Sequence, residues 1–379
     1  MLSLIHVTVT YSWVTWCFRK IVPTFKIGKN MKKIACVGYH GTGSGVIDDL
    51  FREFDNVYHG TYEAEVRLLH DPDGISDLEY HLVDNPHRLS SGIAIKRFIA
   101  YCKSQERQAQ KVFGNKWMKL ATKYAEDLAL IKYYGYTQGD VELASDWIKF
   151  KLLVKKVINR LKPRRYRYAS WHNYLPDMQT YYSLLTEDVF LDKTRRFVEE
   201  LCKIANKDKM EYVMLDQFIS SSNPERCLRY IDDIKTIVVD RDPRDLFINQ
   251  ILCGSPVLPK EAYQFCIMYR NIRKLYGAQC KDQFIIVHFE DMIYKYDEYV
   301  NKVLAFVGID SSHHINPKKY FNPNDSGART KLWIQYPEFN DSIAIIEKEL
   351  AEFLYSFPEN ISFRVIDQKA NNHHLKGKS

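Results

Sequence analysis

Gly38-Tyr39-His40-Gly41-Thr42-Gly43-Ser44-Gly45 puts four glycines into eight positions. The apolar run Ile34-Ala35-Cys36-Val37 precedes it, and Val46, Ile47, Leu50, Phe51 and Phe54 recur after it at helical spacing. A glycine-rich turn from a strand into a helix exposes backbone N–H groups at the positive end of the helix dipole. That is an anion site, usually for phosphate. Gly38 and Gly43 have Walker A spacing, but Ser44-Gly45 stand where a P-loop needs Lys and then Ser or Thr. Gly41, Gly43 and Gly45 do not fit the GxGxxG pattern of dinucleotide folds either. The stretch reads as a phosphate cradle that is not an ordinary Mg-nucleotide site. The plain alternative is a tight turn that binds nothing.

A second anion site is expected at Arg241-Asp242-Pro243-Arg244-Asp245, which follows the strand-like run Thr236-Ile237-Val238-Val239. Two arginines there offer bidentate contacts, with the aspartates holding them in place and Pro243 suited to a first helical turn. The alternative is a self-contained cluster of salt bridges. Two anion sites, each just after a strand, suit a ligand phosphorylated at both ends. Carboxylates and imidazoles that could take a proton are Asp48, Asp49, Glu65, His87 and His172. Glu63 and Glu65 fall just past a second strand if it ends near Tyr62. Glu65 and Arg67 share one face of that strand if it runs to Leu69.

The elements that must position these residues are those of an open α/β fold. Tyr212-Val213-Met214-Leu215 and Phe284-Ile285-Ile286-Val287-His288-Phe289 supply further strand candidates. Residues 90–205 read as mostly helical, with few breakers before Pro163. Within them, Lys149 to Arg167 carries nine basic residues and no acidic one, with Phe150, Leu152, Leu153, Val157, Ile158 and Leu161 on an apolar side. This is either a solvated helix face or a landing surface for an acidic polymer or a membrane. The expected fold is a P-loop-like parallel sheet of about five strands, with helices on both faces and a large helical insertion over about 90–205.

The chain has 379 residues, 46% hydrophobic and 27% charged, enough for a large buried core and not a disordered composition. A net charge of +7 suits an anionic ligand but does not by itself argue for nucleic acid. Eight scattered cysteines without a CxxC indicate neither a zinc site nor a disulfide framework, so a reducing, cytoplasmic setting is expected. Leu2 to Phe18 is apolar but marginal in length for a membrane span, and its basic residues come after it. Residues 1–30 are therefore expected to be an N-terminal extension, with a weak membrane anchor as the runner-up. Residues 31–370 are expected to form the catalytic domain, and 371–379 a disordered tail.

Taken together, these motifs resemble sulfotransferases that use 3′-phosphoadenosine 5′-phosphosulfate (PAPS). The resemblance covers roughly residues 33–70 and 210–335, with the strand followed by RDPRD as its most specific feature. It implies that Arg241 and Asn249 bind the 3′-phosphate, Asn249 standing where the family has serine. It likens Gly41-Thr42-Gly43-Ser44-Gly45 to the 5′-phosphosulfate loop, although the family's Lys or Arg is missing here. His40, Gln217 and Arg67 are the candidates to replace that cation. Val287-His288-Phe289-Glu290-Asp291-Met292 is similar to a late strand and YEDL-like segment of the family. Phe321 to Lys331 is similar to the loop that closes over the cofactor, with Arg329 and Lys331 reaching the 3′-phosphate or the adenine side.

In members that act on heparan-type chains, a Glu just after the second strand takes the proton, and Glu65 is the nearest match. The resemblance therefore implies PAPS-dependent O-sulfation of a carbohydrate or polysaccharide, with Glu65, His40 and Asp49 as catalytic candidates, no metal and no nucleic acid. A nucleotide-kinase-like phosphotransferase is disfavoured by the missing Walker Lys. A non-catalytic nucleotide-binding partner is a third reading, with the missing loop cation as its best support.

Overall fold

Strands buried on both faces need apolar side chains at every position, and β1 (Lys32–Gly38) meets that need from Ile34 to Val37, all fully buried. The computed structural model describes residues 31–59, 64–87, 90–135, 138–142, 144–167, 179–274 and 282–359. Glu63, His172, the extension 1–30 and the tail 371–379 lie outside the described residues.

In chain order, β1 leads into α1 (Gly45–Phe51) and the short β2 (Val57–Tyr58). The insertion follows: α2 (Ser90–Ser104), α3 (Trp117–Asp127), β3 (Ile131–Tyr134), α4 (Asp146–Leu161), β4 (Gln179–Tyr182) and α5 (Glu187–Ala205). Then come β5 (Tyr212–Asp216), β6 (Ile234–Asp240), α6 (Pro243–Leu252) and α7 (Ala262–Lys274). The last elements are β7 (Phe284–His288), α8 (Phe289–Tyr294), α9 (Tyr296–Val307) and α10 (Asn340–Glu349). Shorter helical turns join these elements.

The five main strands form one parallel sheet in the order β2-β5-β1-β6-β7. Alternation along β1 splits the core in two. Ile34 and Cys36 pack with α1 and α9, whereas Ala35 and Val37 pack with α2, α3 and α5. Helices thus cover both faces, as expected for a parallel sheet.

Two details differ from the sequence reading. The second strand is only two residues long, and β5 separates it from β1, so it does not lie beside the strand that feeds the cradle. The insertion also contains an antiparallel pair, β3 with β4. Every residue of β3 is exposed, so no buried face leaves an alternating signal in its sequence.

Topology explains where a ligand would sit. From β1 the chain crosses towards β2 on one side, and from β6 it crosses towards β7 on the other. The loops leaving β1 and β6 therefore part at their C-terminal ends and open a crevice. Open α/β folds bind ligands there.

Candidate active site

The turn after β1 is built from left-handed backbone. His40, Gly41 and Gly43 have φ of 68°, 71° and 94°. Thr42 staples the loop from inside: its Oγ1 accepts from the Tyr39 N–H (3.1 Å) and donates to the Val239 carbonyl (2.7 Å). A Cβ at Gly38 would lie 2.4 Å from that Oγ1, and one at Gly43 would lie 2.6 Å from the Phe289 ring. Close approach requires both glycines, and Gly43 is required by its left-handed conformation as well. At Gly45 a Cβ would meet nothing within 4 Å. The flanking amides of Tyr39 and Val46 are bonded within the loop. Among the described residues, the N–H groups of His40 to Gly45 are matched to no protein acceptor. They are the donors an anion would use.

The RDPRD turn lies alongside, because β6 pairs with β1. The buried guanidinium of Arg241 donates to the Gly41 carbonyl (3.3 Å) and to the Arg329 carbonyl, and lies 5.0 Å over the Phe289 ring. Its Nε is buried without a partner among the described residues. Desolvation holds the Arg241 pKa below its ordinary value, while Asp245 and Glu290 act in the opposite direction. Arg244 is committed elsewhere. It forks onto Asp242 (3.0 and 2.8 Å), reaches Glu347 (3.0 Å) and stacks 3.8 Å over Trp333.

Two buried carboxylates tie the motifs together. Glu290 accepts from the Asp242 N–H (2.9 Å), and Asp245 accepts from the Lys331 (3.0 Å) and Leu332 (2.6 Å) N–H groups. Burial pushes Asp245 up to about 7 and Glu290 up to about 8. The 321–331 loop is thereby drawn against the start of α6. Arg329 is exposed there, and Asn249 is half-buried on α6. Lys331 donates instead to the Pro358 carbonyl (3.2 Å), which ties its amine to the segment after α10.

A cavity of about 340 Å³ opens at the C-terminal ends of β1 and β5. His40, Gly41, Ser44, Glu65, Arg67 and Gln217 all line it. Gln217, with φ of 54°, donates through Nε2 to Ser44 Oγ (2.9 Å) and so reaches the cradle. His40 Nε2 lies 3.1 Å from Ser255 Oγ. Glu65 sits 3.8 Å from Arg67, which is 3.4 Å from Asp71. The Val66 N–H donates to the Asp216 carbonyl, which brings this segment to the end of β5.

Asp49 does not line the cavity; it pairs with Arg52 (2.9 Å) on the surface of α1. His87 is exposed and also outside the lining.

Sequence reasoning missed His70, the serine wall and the burial of Asp48. His70 lines the cavity, and its Nε2–H donates to the Gln217 carbonyl (3.0 Å); since a carbonyl only accepts, this fixes the tautomer. Burial lowers its pKa, which favours the neutral ring. Ser220, Ser221 and Ser222 form another wall. Such a serine run just past a strand is a visible signal of a polar rim. Asp48, fully buried on α1, has no partner on either carboxylate oxygen among the described residues. Burial and then Asp216 push it up to about 8, and burial and then Glu65 push Asp216 up to about 7.

No family model matches the chain, and no curated protein matches it. Several solved structures are similar. One is a sulfotransferase domain from the Synechococcus PCC 7002 olefin synthase: 12% identity over 89% of this chain and 98% of that one, TM-score 0.39. A second is a sulfotransferase domain from the curacin biosynthetic pathway: 11% identity, 87% and 99% covered, TM-score 0.38. A third is retinol dehydratase in complex with androsterone and the inactive cofactor PAP: 11% identity, 87% and 84% covered, TM-score 0.32.

Proposed function

We propose that this protein transfers the sulfuryl group of PAPS to a hydroxyl of a carbohydrate acceptor. One observation carries the reading: Arg241 of the RDPRD turn is hydrogen-bonded to Gly41 of the glycine cradle. Two anion-binding elements from neighbouring strands thus form one continuous surface. The residues present fit a ligand with phosphates at both ends. The amides of His40 to Gly45 suit the 5′-phosphosulfate, whereas the unpartnered Nε–H of Arg241 and the exposed Arg329 suit the 3′-phosphate.

PAPS supplies an activated sulfuryl group and a phosphate leaving group. The chain's own residues do the rest. The cradle amides stabilise charge on the departing phosphate, with Gln217 holding Ser44 in place. The side-chain cation missing from the loop is supplied within the same cavity by Arg67. Glu65 accepts the proton of the attacking hydroxyl. The cavity wall around Glu65, Arg67, His70 and Ser220 to Ser222 is dense in hydrogen-bonding groups, and Val257, Leu258 and Met268 line the same cavity. A lining with both polar and apolar groups suits the edge and face of a sugar ring.

The test is transfer of labelled sulfate from PAPS to a panel of sugars, polysaccharides and phenols in excess chelator. Sulfated sugar is expected, because amides and a guanidinium grip the donor without a metal. Glu65→Gln is expected to lower kcat about 10²–10⁴-fold with PAP affinity little changed. Sulfation of phenols alone would overturn the acceptor class. Tight PAP binding with no transfer to any acceptor would point to a non-catalytic binder. Mg²⁺-dependent ATP turnover would point to phosphotransfer.

A further inference from the structure

The cavity and the cradle leave one pronounced surface feature unused. On α4, Phe150, Leu153, Val154, Val157, Ile158 and Leu161 are each between 40% and 80% exposed. At 3.6 residues per turn, these six side chains fall within an arc of about 140°. They form one stripe, with Trp147 (62% exposed) at its N-terminal end. The opposite face is the covered one. Leu152 and Asn159 are buried there, and Leu152 packs with Ile148 and Val141.

Charge is arranged around the stripe. Lys149, Lys156 and Arg160 flank one edge, Lys151 and Lys155 the other, and all five are exposed. Arg164, Arg165 and Arg167 follow, also exposed. The helix has a single acid, Asp146, in its first turn, 3.8 Å from Lys149. An outward apolar stripe bordered on both sides by cations is the pattern of a helix lying in the plane of an anionic membrane surface.

We infer that α4 docks the protein onto bilayers containing anionic phospholipid, with its apolar stripe in the acyl boundary and its cations among the headgroups. Charge complementarity selects this occupant. An acidic polymer would satisfy the cations and leave the stripe in water. A second copy of the helix would set two unbalanced basic arrays against each other. No helix among the described residues is long and apolar enough to cross a membrane, and the contact inferred for α4 lies in the plane of the surface.

The experiment is co-sedimentation of the full chain with large vesicles. One set is phosphatidylcholine alone, and the other contains roughly one-third phosphatidylserine. Binding is expected to the anionic vesicles, at least about tenfold stronger than to the neutral ones, and weakened by salt. Leu153→Asp with Val157→Asp should weaken it about tenfold or more. Replacing Lys149, Lys151, Lys155 and Lys156 by Gln should weaken it about 10²-fold or more, at about fivefold per lysine. Both variants alter exposed positions away from the cavity, so PAP affinity should be unchanged and reports that the fold is intact.

Three results would overturn the inference. One is no preference for anionic vesicles. Another is binding that survives both variants, which would place the contact elsewhere, as on the apolar residues 2–18. The last is a dimer seen by size exclusion without lipid that Leu153→Asp dissociates.

Discussion

Asp48 shows how a single residue can couple the candidate site to pH. It is fully buried, its two carboxylate oxygens have no partner among the described residues, and its pKa rises from 3.8 to about 8. The folded protein therefore holds this proton over a range in which the unfolded chain has released it. The folded state is favoured below about 4 and loses stability as the pH rises towards 8. Asp48→Asn removes the ionisation. Measured by urea unfolding, the variant should gain on the parent between pH 5 and 9, by at most about 1.4 kcal/mol per pH unit. An equal difference between the two proteins at both pH values would show that Asp48 is not held protonated. Residues of this kind were hard to read in the sequence. Asp48 stands in the sequence as one proton acceptor among five, and its burial is not legible there, because it depends on packing between α1 and the sheet. Glu65 was legible only as a position after a strand. The strand itself is two residues long, and what fixes Glu65 is the contact of the next residue with β5.

At the scale of elements, the strand–turn–helix of the cradle was legible from the glycines and from the switch between a continuous apolar run and a helical pattern. The jobs of the separate glycines were not. Gly43 has φ of 94°, and its missing Cβ leaves room for Phe289, a residue nearly 250 positions away in sequence that also lies under Arg241. Gly43→Ala should therefore cost about 2–4 kcal/mol of stability, combining left-handed backbone strain with overpacking. Gly45→Ala, with open space around it, should stay within about 1 kcal/mol of the parent. Urea unfolding of the pair checks both, and equal costs would mean that Phe289 does not press on the cradle. The β3–β4 pair was not legible, because α4 lies between its two strands in the chain and β3 is exposed at every residue.

For the whole molecule, the parallel sheet with both faces covered follows from apolar strand runs separated by helical segments, and the structure has that form. What the sequence could only suggest by resemblance is the gathering of distant motifs at one edge. Glu290 holds the RDPRD turn, Asp245 holds the 331–332 segment, and Arg241 bonds to the carbonyls of Gly41 and Arg329. The central claim is that this edge grips one ligand at two phosphates. Calorimetric titration of the full chain with 3′-phosphoadenosine 5′-phosphate and with adenosine 5′-phosphate tests it directly. A charge-assisted contact to the 3′-phosphate is worth roughly 1.5–3 kcal/mol, so the bisphosphate should bind at least about tenfold more tightly. Equal affinities for the two nucleotides would contradict the account.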